Sequence, residues 1–497
     1  MSSEYNPPRR STVSAYFPLD INEMVSAFKR HLNDRSTKAA AETATGAMIL
    51  NTMTEFVVGQ GLEAQSAPEN SILNWSEEQR SRFISQSESF FRQYAGSRRI
   101  DHYGKMNFYQ AQKVAFYNGL VDGDFLLRRS YRNGHHDYEP YFQLLSGKWV
   151  RNPNMQIIDT KRLIGGVEFD DAGREVRYWI AETLEDLQDS FQSRPVWKYN
   201  PRSNFEEYNL VRFGIREANQ VRGIPLLTPI IEDIFDLEEF KVAYRMKAAT
   251  QALFTGIITS EKDAPAPVVS TIDTLRNLQA PSRETPEALP HDVDDVKLGS
   301  GNIIALNPGE KFDMAESKVP AADYRQYMDT ELPQITAGVG LAYEMGLQRY
   351  SNNYSASRAT IAGQEKKFRN MRDDLASGFC TPEWEQIIDW GIRRGLIEAP
   401  GYLEGDWRYR QAVLAVTWIG PSPINIDPLK EVEAHIAAIN AGLETREQAV
   451  RELFQSDYEE IAERIKKEQE IMPPAPTEVR DVNITRTDEN EENSDAQ

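Results

Sequence analysis

The sequence has very little cysteine: Cys380 is the single one among 497 residues. One cysteine excludes an intrachain disulfide and any zinc site built from several cysteines. The six histidines match no metal-ligand spacing. No stretch approaches the roughly 18 uninterrupted apolar residues that a membrane-spanning helix needs, and the opening residues lack the apolar core of a secretory signal. These absences predict assembly in a reducing compartment and no contact with a membrane.

Positive charge is also scarce, because 76 acidic residues outnumber 56 basic ones and give a formal charge of −20. A general nucleic-acid binder usually shows a basic balance or a concentrated basic stripe. That class of protein is therefore disfavoured. A conduit for DNA is not disfavoured, because negative charge along the wall of a channel lowers both its affinity for DNA and the friction on DNA that moves through it.

Motifs for enzyme chemistry are missing as well. Gly147 and Lys148 lack the upstream glycine of a phosphate-binding loop, and Gly299, Ser300 and Gly301 lack the spacing of a nucleophile elbow. Two aspartate groups could ligate a hard cation but have no EF-hand spacing, so solvated turns are favoured for both: these groups are Asp122 with Asp124, and Asp292 with Asp294 and Asp295. The sequence predicts a protein that is not an enzyme, with no cofactor and no metal site.

The apolar and turn patterns predict an α+β protein. Helices are expected over 21–58, in two segments between 75 and 120, and over 228–254, 321–337, 355–380 and 429–470, the last interrupted at Gly442 and restarted at the cap Thr445. Short strands are expected at 125–132, 141–146, 155–159, 165–170, 174–180 and 302–306, with a hairpin joining 165–170 to 174–180. The last 25 or so residues, proline-rich and then acidic, lack the apolar surface to fold.

A polar segment from 341 to 354 precedes a long, highly charged helix. Its residues 348–353 offer hydrogen-bonding side chains with one formal charge among them, and its glycine and asparagines tolerate unusual backbone angles. Such a surface can contact a polyanion while binding it weakly, because the affinity for phosphates grows with the number of phosphates that are neutralised. A solvated connection between two helices is the alternative.

Short motifs in a fixed order make this sequence resemble the lambda family of phage portal proteins, from about residue 51 to 455. Each motif is weak alone, and the order gives the resemblance its strength. The motifs include Val57–Leu62, Asp101 with Gly104, Asp122–Asp124, Gly166–Glu168 with Gly173 and Arg174, Gln220–Leu226, Asn353–Ala359, Trp418–Pro421, Ile426–Glu431 and Gly442–Thr445.

The resemblance implies a portal fold with an α/β wing, a two-helix stem, a small β-containing clip, a tunnel loop and a helical crown. The implied divisions are an N-terminal arm (1–20), wing (21–227), first stem helix (228–255), clip (256–318), second stem helix (319–340), tunnel loop (341–354), the rest of the wing (355–428), crown (429–470) and a disordered acidic tail (471–497). The DNA-facing residues implied for the tunnel loop are Gln348, Arg349, Tyr350, Ser351, Asn352 and Asn353.

The resemblance also implies a function and partners. The chain would form a dodecameric ring at the capsid vertex, through which double-stranded DNA is packaged and ejected, with energy supplied by the terminase. Expected partners are the terminase large subunit, major capsid and scaffolding proteins, and head completion or adaptor proteins, in the host cytoplasm during assembly and then in the virion. The alternative is an enzyme, either a self-processing protease or a metal-dependent nuclease using Asp292, Asp294 and Asp295.

Overall fold

The computed structural model divides the chain into two units, Met1–Phe235 with Pro333–Gln497, and Asp236–Leu332. None of the helices described is long and apolar enough to cross a membrane. The structure describes residues 21–133, 138–153, 162–181, 193–203, 205–253, 257–260, 310–313, 321–347, 354–421, 428–454 and 458–471.

Helices predominate and strands are short. The helices are α1 (Ile21–Glu42), α2 (Ala44–Val57), α3 (Asn70–Leu73), α4 (Glu77–Gly96), α5 (Phe108–Asp122), α6 (Ile231–Leu253), α7 (Ala321–Gly338), α8 (Tyr343–Leu347), α9 (Tyr354–Leu375), α10 (Thr381–Arg393), α11 (Trp407–Leu414), α12 (Pro428–Asn440), α13 (Arg446–Phe454) and α14 (Tyr458–Ile471). The strands are β1 (Glu63–Ser66), β2 (Asp124–Asn133), β3 (Tyr138–Ser146), β4 (Leu163–Ile164), β5 (Val167–Phe169), β6 (Glu175–Ala181), β7 (Ser193–Trp197), β8 (Tyr208–Arg212), β9 (Ile257–Ser260), β10 (Glu310–Asp313) and β11 (Val416–Ile419).

Local sequence explains where α5 begins and ends. The Asn107 side chain accepts a hydrogen bond from the backbone N–H of Gln110 at 2.8 Å, and the Gln110 side chain accepts one from the Asn107 N–H at 3.2 Å. This reciprocal capping satisfies two N–H groups that the first turn leaves unpaired. The helix stops at Gly123, whose left-handed φ of 82° favours glycine. The chain therefore passes from α5 into β2 through a single residue.

Two antiparallel sheets share the core of the first unit. One has the strand order β3-β2-β8 and the other β4-β5-β6-β7, while β1 pairs separately with β11. Leu126 of β2, Tyr178 of β6, Leu210 of β8 and Val221 belong to one buried apolar cluster. The two sheets are thus held together by side chains from both.

Aromatic rings join the helices of the first unit. The ring centroid of Phe91 lies 5.0 Å from that of Trp384 and 6.0 Å from that of Trp418. Phe108 lies 5.4 Å from Phe379 and 5.9 Å from Trp418. Tilted and edge-on pairs at these separations add to the burial of apolar area. Elements far apart in the sequence, from α4 to β11, therefore meet in one aromatic core.

The second unit contains most of α6 and α7 and the strand pair β9–β10. The ring of Phe240 lies 4.1 Å from that of Tyr327, and Tyr244 lies 4.6 Å from Tyr324. Because the later residue on α6 meets the earlier one on α7, the two helices run antiparallel. Strands β9 and β10 are also antiparallel, with Ser260 opposite Glu310.

Most predicted elements in the described residues are confirmed, and the mixture of helices and strands confirms the α+β class. The hairpin is present as β5 and β6, and the Thr445 hydroxyl accepts a hydrogen bond from the N–H of Gln448 at 3.1 Å, as its capping role predicted. The predicted 355–380 helix ends at Leu375, and a π-helical segment, Ala376–Cys380, continues into α10. The arm, the strand patterns at 155–159 and 302–306, residues 472–497, and most of 256–318 lie outside the described residues.

Candidate functional site

The residues predicted to face DNA lie outside the described residues, but both segments that flank them are described. These residues are Gln348, Arg349, Tyr350, Ser351, Asn352 and Asn353. The prediction of an irregular polar segment from residue 341 was wrong at its start, because Tyr343–Leu347 form α8. Met345 and Leu341 are buried there, and Gly346 lies against Met48 of α2. The first residues of the segment, 341–346, are therefore packed against other parts of the first unit.

The chain reverses at the end of α7. The N–H of Leu341 donates to the carbonyl of Thr336 at 2.9 Å, and the N–H of Gly340 donates to the carbonyl of Ala337 at 2.8 Å. Gly340 has a φ of 67°, so these bonds form a Schellman motif with a left-handed glycine after the helix. The motif satisfies the carbonyls that the helix end leaves unpaired and sets the direction in which residues 341–347 leave.

Two side chains of α9 hold this reversal in place. The Gln364 amide accepts a hydrogen bond from the N–H of Ala342 at 2.9 Å and donates to the carbonyl of Gly340 at 3.0 Å. The Lys367 ammonium donates to the carbonyl of Gly340 at 3.0 Å and also to that of Val339. Burial lowers the pKa of Lys367. We call Gln364, Lys367 and the backbone of 339–342 the loop clamp.

Arg372 makes a similar attachment two turns further along α9. Its guanidinium donates to the carbonyls of Val57 and Phe56 at 3.0 Å each, and to Glu365 at 3.1 Å. These carbonyls stand at the end of α2, where a cation is favoured by the helix dipole. Gly420 lies against the same guanidinium: a Cβ atom at this position would lie only 2.5 Å from the Arg372 Nε atom. The motifs at 57–62 and 418–421 thus meet around α9.

A second convergence of motifs forms a buried charge cluster of Lys29, Asp124 and Arg222. The carboxylate of Asp124 accepts two hydrogen bonds from Arg222, both at 2.8 Å, and one from Lys29 at 3.2 Å. Arg222 also donates to the carbonyls of Val150 and Gly147 at 2.8 Å each. Both carboxylate oxygens of Asp124 therefore accept hydrogen bonds from charged donors.

The pKa values of the charge cluster reflect two opposing effects, burial and ion pairing. Burial alone would raise the pKa of Asp124, but Arg222 and Lys29 together hold it far below the ordinary value. Burial lowers the pKa of Lys29 to about 8, although Asp124 opposes the shift. The favoured interpretation of Asp122–Asp124 as a solvated turn was wrong, because Asp122 is buried and so, completely, is Asp124. Its partners come from α1 and from residue 222, far along the chain.

The described residues offer little for metal or nucleophilic chemistry. Within them, no group of three or more histidine, cysteine, aspartate or glutamate side chains could hold a metal ion. Asp292, Asp294 and Asp295 lie outside the described residues. Cys380 is buried, and burial raises the pKa of its thiol, which disfavours the reactive thiolate.

Sequence reasoning missed Gln364, Lys367 and Arg372. One signal could have found two of them. Gln364 and Arg372 share the buried face of α9 with Ile361, Phe368 and Leu375, at the spacing of one helical stripe. Polar residues at core positions of a stripe require buried partners. Lys367 is only half-buried and carries no such signal.

Comparison with known proteins confirms the family that the sequence predicted. The family "Phage portal protein, lambda family" matches residues 16–372. The chain is 23% identical over 493 residues to portal protein B of Escherichia phage lambda, covering 95% of this chain and 89% of that protein. It is 26% identical over 354 residues to the portal protein of Escherichia phage N15, covering 68% of this chain and 65% of the N15 protein.

Two solved structures of gene transfer agent particles are also similar. The virion of a native particle gives a TM-score of 0.40 at 9% identity, covering 86% of this chain and 97% of that one. The neck of an empty particle gives a TM-score of 0.43 at 9% identity, covering 84% and 92%. The family match to residues 16–372 spans well over half of the sequence, and this chain therefore belongs to the lambda family of phage portal proteins.

Proposed function

We propose that this chain is the subunit of a closed ring at one capsid vertex, through which double-stranded DNA is packaged and later ejected. The observation that carries the proposal is the family match over residues 16–372, supported by the similarity to phage lambda portal protein B along 95% of the chain. Contacts between two different surfaces of identical subunits close into a ring when the rotation between neighbours divides a full turn. We expect twelve subunits, the number that the family resemblance implies.

The two units support the proposed division into stem, clip, wing and crown. The antiparallel α6 and α7 are suited to be the stem, and β9–β10 the base of the clip. Within the first unit, the sheets and helices of 21–227 and 355–428 would form the wing, and α12–α14 the crown. Terminase would dock on the clip and supply the energy for packaging, while capsid, scaffolding and head completion proteins would contact other surfaces of the ring during assembly in the host cytoplasm and in the virion.

Ring formation is tested on the purified full-length chain. Negative-stain electron microscopy should show closed rings with a central channel, and native mass spectrometry should give about 680 kDa for twelve subunits of 56.7 kDa. Monomers or dimers across a range of salt and protein concentration would contradict the proposal.

We place the DNA contact of the channel in the segment Gln348, Arg349, Tyr350, Ser351, Asn352 and Asn353. Arg349 is the single cation in it, so a ring of these segments would form a positive collar in an otherwise acidic protein. Arg349→Ala should leave rings intact and change DNA packaging or retention, with a defect that depends on ionic strength as phosphate contacts do. A variant that packages and retains DNA like the parent at low and high salt would remove Arg349 from this role.

A further inference from the structure

A short loop between α4 and α5 concentrates positive charge on the surface of an acidic protein. We call residues 98–105 the basic loop. Its three basic residues and one acidic residue give it a formal charge of +2, in a chain whose total is −20. Arg98, Arg99 and Lys105 are exposed. Arg99 pairs with Glu139 at 2.6 Å, whereas neither of the other two cations forms an ion pair within the described residues.

Asp101 holds the basic loop in one shape. Its N–H donates to the carbonyl of Arg98 at 3.3 Å, and its carbonyl accepts from the N–H of Gly104 at 3.1 Å. Its buried carboxylate accepts from the N–H groups of Lys105 at 2.8 Å and Met106 at 3.3 Å. Because these bonds all close on one residue, the backbone at both 98 and 105 lies within one turn of Asp101. The carboxylate binds backbone N–H groups and leaves the two cations to solvent.

The basic loop is also fastened to β3. The N–H of His102 donates to the carbonyl of Phe142 at 2.8 Å, and the Gln143 amide donates to the Tyr103 hydroxyl at 2.8 Å. Tyr103 is nevertheless 53% exposed. The Lys105 ammonium lies 5.5 Å from the centre of the Tyr103 ring, within the range of a cation–π contact. An exposed aromatic ring therefore stands beside a cation, on a loop that is held to the sheet.

We propose that the basic loop is a docking surface for a short acidic segment of another protein, with carboxylates at Arg98 and Lys105 and an apolar side chain against Tyr103. Arginine and carboxylate groups match in two-pronged geometry. Tyrosine and arginine are also enriched among the residues that dominate the free energy of binding at protein interfaces. The motif of Asp101 with Gly104 has no part in the proposed DNA channel, and its role is to shape this surface.

Charge and shape favour an acidic segment over double-stranded DNA. A duplex carries one negative charge per about 1.7 Å of its axis, and the total charge of −20 repels it from the surface around the basic loop. Two cations neutralise too few phosphates to offset this repulsion, since the affinity for DNA grows with the number neutralised. A peptide with two or three carboxylates needs no more cations than the loop presents. Its apolar side chain can also cover the Tyr103 ring, which a phosphate backbone cannot.

The experiment measures, by fluorescence anisotropy, how the purified full-length chain binds a labelled ten-residue peptide with glutamates on both sides of one leucine. We expect binding that weakens as the salt concentration rises, and no binding of the same peptide with glutamines. Arg98→Glu and Lys105→Glu should each weaken binding by about five-fold or more, because an exposed ion pair is replaced by a repulsion. Exchange of the peptide's leucine for glycine should weaken binding to the parent and make no difference to Tyr103→Ala.

The matched control is Arg408→Glu, because Arg408 is exposed on α11 and its reversal changes the total charge equally. It should leave the affinity within about two-fold of the parent, the lower end of the effect of an exposed charge. Circular dichroism checks that each variant is folded. Equal binding of the glutamate and glutamine peptides, or equal effects of the loop and control substitutions, would overturn the proposal.

Two further measurements separate the alternative occupants of the basic loop. A short DNA duplex that binds the parent more tightly than the peptide, and loses affinity in Arg98→Glu and Lys105→Glu, would assign the loop to DNA and overturn the proposal. A chain that ends at residue 471 and binds the peptide several-fold more tightly than the full chain would assign the loop to residues 472–497 instead. Equal peptide affinity of the two chains supports docking of a separate protein.

Discussion

At the scale of single residues, removing one member of the charge cluster should lower the free energy of unfolding by more than the intact cluster contributes to it. Lys29, Asp124 and Arg222 are all buried, and two cations share one carboxylate. Taking these charges out of water is costly, and their mutual attraction offsets that cost only while all three are present. The cluster ties α1 to the start of β2 and to the residue 222 region, so its loss would loosen several elements at once.

We therefore predict that Asp124→Asn lowers the free energy of unfolding by about 3–5 kcal/mol, the range for breaking a buried ion pair by removing one partner. The substitution keeps the size of the side chain and leaves two buried cations without their anion. Denaturant-induced unfolding followed by circular dichroism measures the change. The control is Asp171→Asn, whose exposed pair with Arg162 should contribute little. Equal effects of the two substitutions would contradict the account.

Glu383 predicts a specific dependence of stability on pH. It is fully buried on α10, and burial raises its pKa to about 8, with Arg129 opposing the shift. The unfolded carboxyl loses its proton near pH 4.5 while the folded one keeps it. The stabilisation by protonated Glu383 is therefore fully present below about pH 4.5. It is lost as the pH rises towards 8, by about 1.4 kcal/mol for each pH unit between these two values.

We predict that Glu383→Gln removes this part of the pH dependence. The neutral amide resembles the protonated carboxyl, so variant and parent should melt at similar temperatures at pH 5, and the variant should melt higher at pH 9. Thermal unfolding at pH 5, 7 and 9 measures the difference. Glu78→Gln, on an exposed position of α4, is the control and should follow the parent. A constant difference between Glu383→Gln and the parent at all three pH values would argue against titration of Glu383.

At the scale of elements, α9 illustrates what the sequence could and could not predict. Its apolar stripe of Ile361, Phe368 and Leu375 follows from helical spacing, and its length was predicted nearly correctly. The polar members of the stripe could have been flagged as buried. Their partners could not, because the carbonyls that Gln364 and Arg372 contact belong to other elements that only the fold brings near.

The junction between α5 and β2 yields a prediction of its own. Gly123 has a φ of 82°, and a Cβ atom there would lie 2.6 Å from the backbone of Gly223. Gly173, in the β5–β6 turn, has a φ of 77° with nothing within 4 Å of the same position. Gly173→Ala should therefore cost about 1–2 kcal/mol for the left-handed backbone alone.

Gly123→Ala should cost clearly more than Gly173→Ala, because the backbone at 223–224 must also move. Urea unfolding of the two variants gives the difference, and that difference isolates the close approach of the two chain segments. If the two substitutions destabilise the protein equally, the contact between 123 and 223 is not tightly packed in solution.

At the scale of the whole molecule, the family could be predicted because short motifs stand in a fixed order along the chain. How those motifs meet could not. Asp122–Asp124 and Gln220–Gly223 are separated by nearly one hundred residues, and a glycine between two aspartates indicates only a turn until its partners are known. In the structure, both motifs are parts of one buried cluster, joined by hydrogen bonds that no local pattern encodes.

The strand pair β9–β10 supports a last prediction about the segment between its strands. Ser260 lies opposite Glu310, so the antiparallel pair can hold the two ends of the intervening residues together when some of them are removed. We predict that deletion of residues 262–295 leaves ring formation largely intact and abolishes terminase binding, because this segment is the proposed docking tip. Electron microscopy of the variant and co-purification with the terminase large subunit provide the two measurements.

Deletion of residues 472–497 is the matched control, since it also removes residues outside the described part of the chain and should leave terminase binding unchanged. Terminase binding that survives the 262–295 deletion would place the docking surface elsewhere on the ring. Loss of rings in that variant would instead show that the segment takes part in assembly. The distinction follows from the division of the chain: α6 and α7 contact each other through aromatic pairs that the deletion leaves untouched, so the antiparallel helix pair should persist without the residues beyond β9.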